Sequence, residues 1–153
     1  MNELIRKPID IFHKNVIQKL ILLWETRGLT EETERLITVI SVAIYYDRVV
    51  YEEEIEKSKE ILFERIKNRH KRELIYERIR VKLDEYITDE ELFKEDVQKA
   101  VRYIVDDIQL YSIAKDIFEA DGSNALEEQE LEKRIKDEYD KHYTYKNSGS
   151  ILE

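Results

Sequence analysis

Two predicted loops carry acidic side chains at spacings that suit a divalent cation. In each, an aspartate ends one helical stretch, an aliphatic residue is expected to pack inward, and a glutamate stands early in the next helix. The residues, in that order, are Asp47, Val50 and Glu54 in the first loop and Asp121, Leu126 and Glu130 in the second. Because cations such as Ca²⁺ prefer carboxylate oxygens, the acidic residues are candidate metal ligands.

The second loop also fits the order of oxygen donors in a twelve-residue EF-hand calcium loop. With Glu119 at the first position, the donors that follow are Asp121, Ser123, the Ala125 carbonyl, Glu127 and Glu130. The same register puts Tyr45 first in the other loop and Val49 where an oxygen donor is needed, so that loop is not an EF-hand. A single calcium loop is therefore one alternative to a shared metal site.

A third interpretation of these acidic residues needs no metal. Asp and Glu favour the first turn of a helix, because they complement its positive end and accept hydrogen bonds from its free N–H groups. Asp47, Asp121 and the glutamates after them occupy such positions. The residues alone leave helix capping, a shared metal site and an EF-hand-like loop open.

A basic run forms a second candidate site. Its members are Arg65, Lys67, Arg69, Lys71, Arg72, Arg78, Arg80 and Lys82. Because the whole chain has a net charge of −9, this basic run makes the distribution of charge strongly uneven. An uneven charge distribution favours docking of a protein or peripheral contact with a membrane. The alternative is a solvated helical face paired with acidic neighbours. Tyr76 is the one aromatic residue in the run, so base stacking, and with it nucleic-acid binding, is not expected.

Helical periodicity covers most of the chain, and no alternating strand pattern of convincing length is present. The sequence therefore predicts an all-α bundle of about six to seven helices, with two acidic helix–loop–helix modules. The predicted helices cover about 8–26, 31–46, 52–69, 72–86, 88–105, 108–119 and 127–141. We expect an amphipathic N-terminal helix packed on the domain at 1–29, a helical domain at 30–141 and a flexible tail at 142–153.

Several residues are predicted to begin or interrupt these helices. Thr30 precedes an acidic first turn, and Thr88 with Glu91 matches a capping box. The Asp106–Asp107 pair predicts another helix start, whereas an interruption is possible near Asp96. The uncharged stretch at 36–46 is too short to cross a bilayer and should form the most buried helix.

Composition excludes several kinds of site. The 153 residues include no cysteine, which removes disulfides and thiolate chemistry and fits a reducing compartment, so we expect a cytoplasmic protein. The charged N-terminus lacks a signal-peptide pattern. No phosphate-binding glycine loop, nucleophile elbow or HExxH motif is present, so we expect no enzyme activity.

The two acidic loops resemble those of the tellurite-resistance TerB-like family. The resemblance rests on a helix end of the Ala-x-x-Ala-Asp-Gly type followed by a glutamate in the next helix, and it spans most of 31–139. Asp47 and Glu54 stand at the first acidic pair, and Asp121 and Glu130 at the second. Arg48 replaces the glycine of the pattern in the first loop, and the second loop is two residues longer.

The resemblance implies a compact helical protein with an acidic surface, proposed to bind a divalent metal and to act in stress-response assemblies. We therefore expect a non-catalytic interaction module that binds Ca²⁺ or another divalent cation, uses no organic cofactor and recruits a protein partner. The alternative is a calcium-responsive, EF-hand-like helix–loop–helix protein that changes conformation when the ion binds.

Overall fold

The computed structural model describes residues 29–122 and 125–152, with side chains except at 121, 125 and 143–152. Six α-helices lie in these ranges: α1 Glu31–Tyr45, α2 Glu52–Arg65, α3 Arg69–Thr88, α4 Glu90–Asp106, α5 Gln109–Phe118 and α6 Ala125–Leu152. A 3₁₀ turn, Glu119–Asp121, follows α5. These residues contain no strand, so the predicted all-α fold is confirmed. None of these helices combines the length and the hydrophobicity needed to cross a membrane.

Helix α1 lies at the centre of the bundle, between α3, α4 and α5. Ile37, Ile40 and Ile44 have 0% of their surface exposed, because a helix that is apolar on all sides must be covered by its neighbours. The Thr33 amide donates a hydrogen bond to Thr30 Oγ1 at 3.2 Å. Both predictions for this helix, the Thr30 cap and the deep burial of 36–46, are confirmed.

Three aromatic rings hold the end of α1 against α3 and α4. The Phe93 ring lies edge-on to Tyr45 and to Tyr86, with 5.1 Å between ring centroids in both pairs. Such edge-to-face contacts add stability beyond the area that they bury. The cluster therefore fixes the point from which the first acidic loop leaves α1.

Helix α4 is continuous through Asp96, where the sequence left an interruption open. The Asp96 side chain is buried, and its Oδ2 accepts hydrogen bonds from the Tyr86 hydroxyl at 2.6 Å and from Lys82 Nζ at 2.9 Å. Burial of a carboxylate is costly unless it is paired. The two donors come from α3, so Asp96 links α4 to α3 instead of breaking its helix.

The boundary between α2 and α3 differs from the prediction. Helix α2 ends at Arg65 rather than near 69, because Asn68 starts α3 by accepting a hydrogen bond from the Lys71 amide at 2.9 Å. The cap predicted at Asp106–Asp107 is not the N-cap of α5, because Ile108 holds that position without a side-chain cap. Asp107 lies one residue earlier, where its Oδ1 accepts a hydrogen bond from the Gln109 amide at 3.1 Å. Short polar side chains at helix starts satisfy these free N–H groups.

The capping box predicted at Thr88 is wrong. Asp89 caps α4 instead, with its Oδ1 accepting a hydrogen bond from the Leu92 amide at 3.1 Å. The Thr88 hydroxyl donates to the Glu85 carbonyl at 3.2 Å and so belongs to the last turn of α3. The neighbouring aspartate can take the cap because a carboxylate also complements the positive end of the helix.

Helix α6 extends to Leu152, whereas the sequence predicted an end near Lys141 and a flexible tail at 142–153. The predicted end is wrong, because no proline follows and the single Gly149 costs a helix only about 1 kcal/mol. Flexibility of that segment stays a prediction. The N-terminal helix predicted within 1–29 lies outside the described residues, apart from position 29.

Candidate functional site

The first acidic loop, between α1 and α2, contains a residue in the left-handed conformation. Arg48 has a φ of +68°, which costs energy for any residue other than glycine. Its guanidinium offsets that cost by binding Glu90 at 2.6 Å and the Tyr46 carbonyl at 2.8 Å. Asp47 Oδ1 accepts a hydrogen bond from the Val49 amide at 3.1 Å, so this carboxylate helps to close its own loop.

The second acidic loop repeats this backbone feature. Gly122, directly after Asp121, has a φ of +77°, in the same region as Arg48. The Gly122 amide donates to the Glu119 carbonyl at 3.1 Å and closes the 3₁₀ turn. The Asp121 side chain and Ser123 lie outside the description. The loops thus share a left-handed residue after the aspartate, in agreement with the repeat seen in the sequence.

The apolar residues predicted to pin the two loops behave differently. Val50 packs against the core as predicted. Leu126 is 77% exposed, so its predicted burial is wrong, and Leu131 fills the core from α6 instead. Residues five apart on a helix lie about 140° apart around the axis, so the two leucines cannot both face inward. Glu54, a predicted ligand, is buried at the start of α2 with 1% exposure.

Residues of both loops meet in a cavity of about 340 Å³, which we call the mixed-charge cavity. Its charged lining residues are the acidic Asp47, Glu127 and Glu130 and the basic Arg48, Lys94 and Arg134. Three predicted metal ligands are therefore brought to one place, as the repeat suggested. Three cationic groups share that place and offset the carboxylate charge.

Glu130 has two hydrogen-bond donors in the mixed-charge cavity. The Tyr46 hydroxyl lies 3.3 Å and the Arg134 guanidinium 3.2 Å from Glu130 Oε1. Burial raises the pKa of Tyr46 to about 12, and the neighbouring Glu130 adds to this shift. The hydroxyl is therefore protonated at neutral pH and acts as a donor to the carboxylate.

The described side chains do not form a metal centre. In residues 29–120 and the described part of the second loop and α6, no group of three or more His, Asp or Glu side chains is arranged to hold an ion. Glu119 lines a different groove from Glu127 and Glu130, whereas EF-hand ligands must converge on one ion. Cation binding stays a prediction, and it would need the Asp121 side chain and Ser123 as further ligands.

A groove of about 630 Å³ between α2 and the end of α5 is lined mainly by carboxylates, and we call it the acidic groove. Its acidic residues are Glu52, Glu53, Glu56, Glu60, Asp116 and Glu119, beside Lys57 and Ala120. All six carboxylates belong to exposed residues. Of these six residues, Glu119 alone is among the site residues predicted from the sequence, although glutamates repeated every four residues in α2 mark one helical face.

Four residues of the predicted basic run are engaged in ion pairs, and three of them lie in the second half of α3. Arg78 forms two 2.7 Å hydrogen bonds to the Glu34 carboxylate and so links α3 to α1. Lys82 pairs with the buried Asp96, and Arg80 pairs with Glu77 at 2.9 Å. For these residues the alternative interpretation, pairing with acidic neighbours, is confirmed.

The remaining basic residues lie where α2 ends and α3 begins. Together with Phe63 they form the basic tip, which comprises Phe63, Arg65, Lys67, Arg69, Lys71 and Arg72. Phe63 is 64% exposed, and the Arg72 guanidinium lies 4.8 Å from its ring centroid. Arg69 pairs with Glu73 at 3.2 Å. Within the described part of the chain, Arg65, Lys67 and Lys71 form no ion pair.

Comparison of this chain with protein-family models, curated proteins and solved structures finds no match. The resemblance of its acidic loops to the TerB-like family therefore stays a prediction from the residues.

Proposed function

We propose that this chain is a non-catalytic helical module that binds a basic segment of a partner protein in its acidic groove. The observation that carries this proposal is the collection of six exposed carboxylates, from α2, α5 and the 3₁₀ turn that follows it, around one open groove. Lys57 is the cationic residue in the lining, and it pairs with Glu60 at 3.4 Å. A groove with one sign of charge attracts a partner segment of the opposite sign.

Helix capping does not account for all of these carboxylates. Glu56 and Glu60 lie beyond the first turn of α2, where the helix dipole gives them little stabilisation. Asp116 and Glu119 lie at the carboxyl end of α5, where a negative charge opposes the dipole. Acidic residues at positions unfavourable for their own helices support a role in binding.

Binding of a labelled lysine-rich peptide, followed by fluorescence anisotropy, tests this proposal. Glu56→Lys with Asp116→Lys should weaken binding at least about tenfold, or ~1.4 kcal/mol. Glu95→Lys with Asp140→Lys is the control, because it changes the net charge equally at exposed positions outside the groove. Equal loss in both variants would mean that net charge, not the groove, attracts the peptide.

The resemblance to the TerB-like family extends the proposal to a cytoplasmic stress response and to a divalent cation bound beside the two acidic loops. The support for it is the repeat of aspartate, left-handed residue and glutamate. A strain without this gene should then grow more slowly in tellurite than its parent. Equal growth would remove the stress-response part and leave the groove unaffected.

A further inference from the structure

We infer that the acidic groove takes the basic tip of a second copy of this chain, so that copies associate head to tail. This inference rests on the proposed function, since it names the partner of the same groove. Two complementary surfaces on one molecule carry it: six carboxylates line the groove, and five cationic residues lie at the tip.

The basic tip has the properties of an inserted surface. Arg65 and Lys67 are exposed and form no ion pair within the described part of the chain, so partner carboxylates are free to bind them. Phe63 is an exposed aromatic residue at the same place, stacked under Arg72. Aromatic and arginine side chains are the residues that most often dominate protein interfaces. Ala120, small and apolar, lies in the groove that would receive the ring.

One molecule cannot satisfy both of its own surfaces. Groove and tip share α2, in which the nine positions that separate Glu56 from Arg65 span about 14 Å along the axis. A straight helix keeps its two ends apart, so the tip must seek the groove of another copy. Contacts of this kind join different surfaces on the two partners, and they build a ring when the rotation closes and a filament when it does not.

A different anionic partner for the tip is less well supported. The net charge of −9 repels nucleic acid and anionic membranes as a whole, and Phe63 is the one exposed aromatic ring at the tip. A second copy carries the same net charge of −9, but its acidic groove opposes the cationic side chains of the tip with six carboxylates and the Phe63 ring with the apolar Ala120. These other occupants are outcomes that the experiment separates.

Sedimentation velocity of the full chain tests the inference. We expect reversible association with a dissociation constant of about 100 μM at low salt. It should weaken at least tenfold between about 20 mM and about 300 mM salt, because screening shortens the range of the charges. Arg65→Glu with Lys67→Glu should give a monomer, and Lys99→Glu with Arg102→Glu, an equal change in net charge at exposed positions outside the tip, should associate like the wild type.

Charge exchange gives the decisive comparison. Glu56→Lys with Asp116→Lys should also be a monomer alone. A mixture with the Arg65→Glu, Lys67→Glu variant should associate, because the unchanged basic tip of the first variant meets the unchanged acidic groove of the second, and the lysines of the altered groove meet the glutamates of the altered tip. A wild type that sediments as a monomer at low salt, or a mixture that stays monomeric, overturns the inference. If the lysine-rich peptide still binds the groove of that monomer, the proposed function stands and only the second copy is excluded. Binding of a DNA oligonucleotide or of anionic vesicles by the tip, without self-association, also overturns it.

Discussion

The Tyr46 hydroxyl lies 3.3 Å from Glu130 Oε1, so the end of α1 is hydrogen-bonded to an early turn of α6. The two residues are 84 positions apart in the chain. Each flanks one of the acidic loops, and the bond joins those loops at the mixed-charge cavity. Glu130 Oε1 also accepts a hydrogen bond from Arg134. With two donors bound to this oxygen, Glu130 is a less available metal ligand.

Stability at alkaline pH should depend on Tyr46. Its pKa in the folded chain is about 12, above the value of about 10 for a free tyrosine, so the stabilisation is complete below pH ~10 and lost as the pH rises to ~12. Urea unfolding at several pH values should show a shallower decline for Tyr46→Phe than for the wild type. The variant should be about 1 kcal/mol less stable at neutral pH through loss of the hydrogen bond. Parallel curves would contradict the assigned burial of this hydroxyl.

Removal of the buried Asp96 carboxylate should be strongly destabilising. Asp96→Ala leaves Lys82 and Tyr86 without their shared acceptor, and we expect a loss of about 3 kcal/mol in the free energy of unfolding. Glu95→Ala, one position away on the exposed face of α4, should change stability by less than about 0.5 kcal/mol. Denaturant unfolding of both variants measures the difference, and similar values would show that Asp96 is not buried.

The identity of the cap on α4 can be measured directly. Asp89→Ala removes the acceptor of the Leu92 amide and should cost about 1 kcal/mol. Thr88→Ala removes a bond inside α3 and should cost less than about 0.5 kcal/mol. Thermal melting ranks the two variants, and a larger loss for Thr88→Ala would restore the capping box predicted from the sequence.

Calcium should bind weakly. Arg48, Lys94 and Arg134 share the mixed-charge cavity with its carboxylates, and their positive charges oppose a divalent cation. At a calcium concentration equal to its dissociation constant the stabilisation is about 0.4 kcal/mol, or about 1–2 °C in Tm.

Calorimetry and thermal melting with calcium measure this binding. Asp47→Asn should abolish the rise in Tm, whereas the control Glu95→Gln, at an exposed position outside the cavity, should keep it. Submicromolar affinity would favour the EF-hand-like alternative, in which the second loop gathers its ligands around the ion. Absence of any shift at millimolar calcium would remove the cation from the proposed function.

Local sequence signals determined the helices and much of their order. Apolar periodicity and the uncharged stretch at 36–46 specify the central helix, and the Thr30 cap follows from hydrogen bonding between near neighbours. The positions of the two acidic loops follow from the same local rules. Local signals do not distinguish adjacent candidate N-caps such as Thr88 and Asp89, because either side chain can reach the free amides of the same helix.

Tertiary structure alone decided which charges share a surface. Leu126 and Leu131 are both apolar, yet only the bundle determines which of them faces the core. Glu119 and Glu130 lie eleven positions apart but line different surfaces, whereas Asp47 and Glu130 meet in one cavity. The electrostatic interaction between two side chains depends on their distance in space. The packing of the helices sets that distance, whatever the separation of the two residues along the chain. The acidic groove and the basic tip are therefore products of the fold, although every residue in them is visible in the sequence.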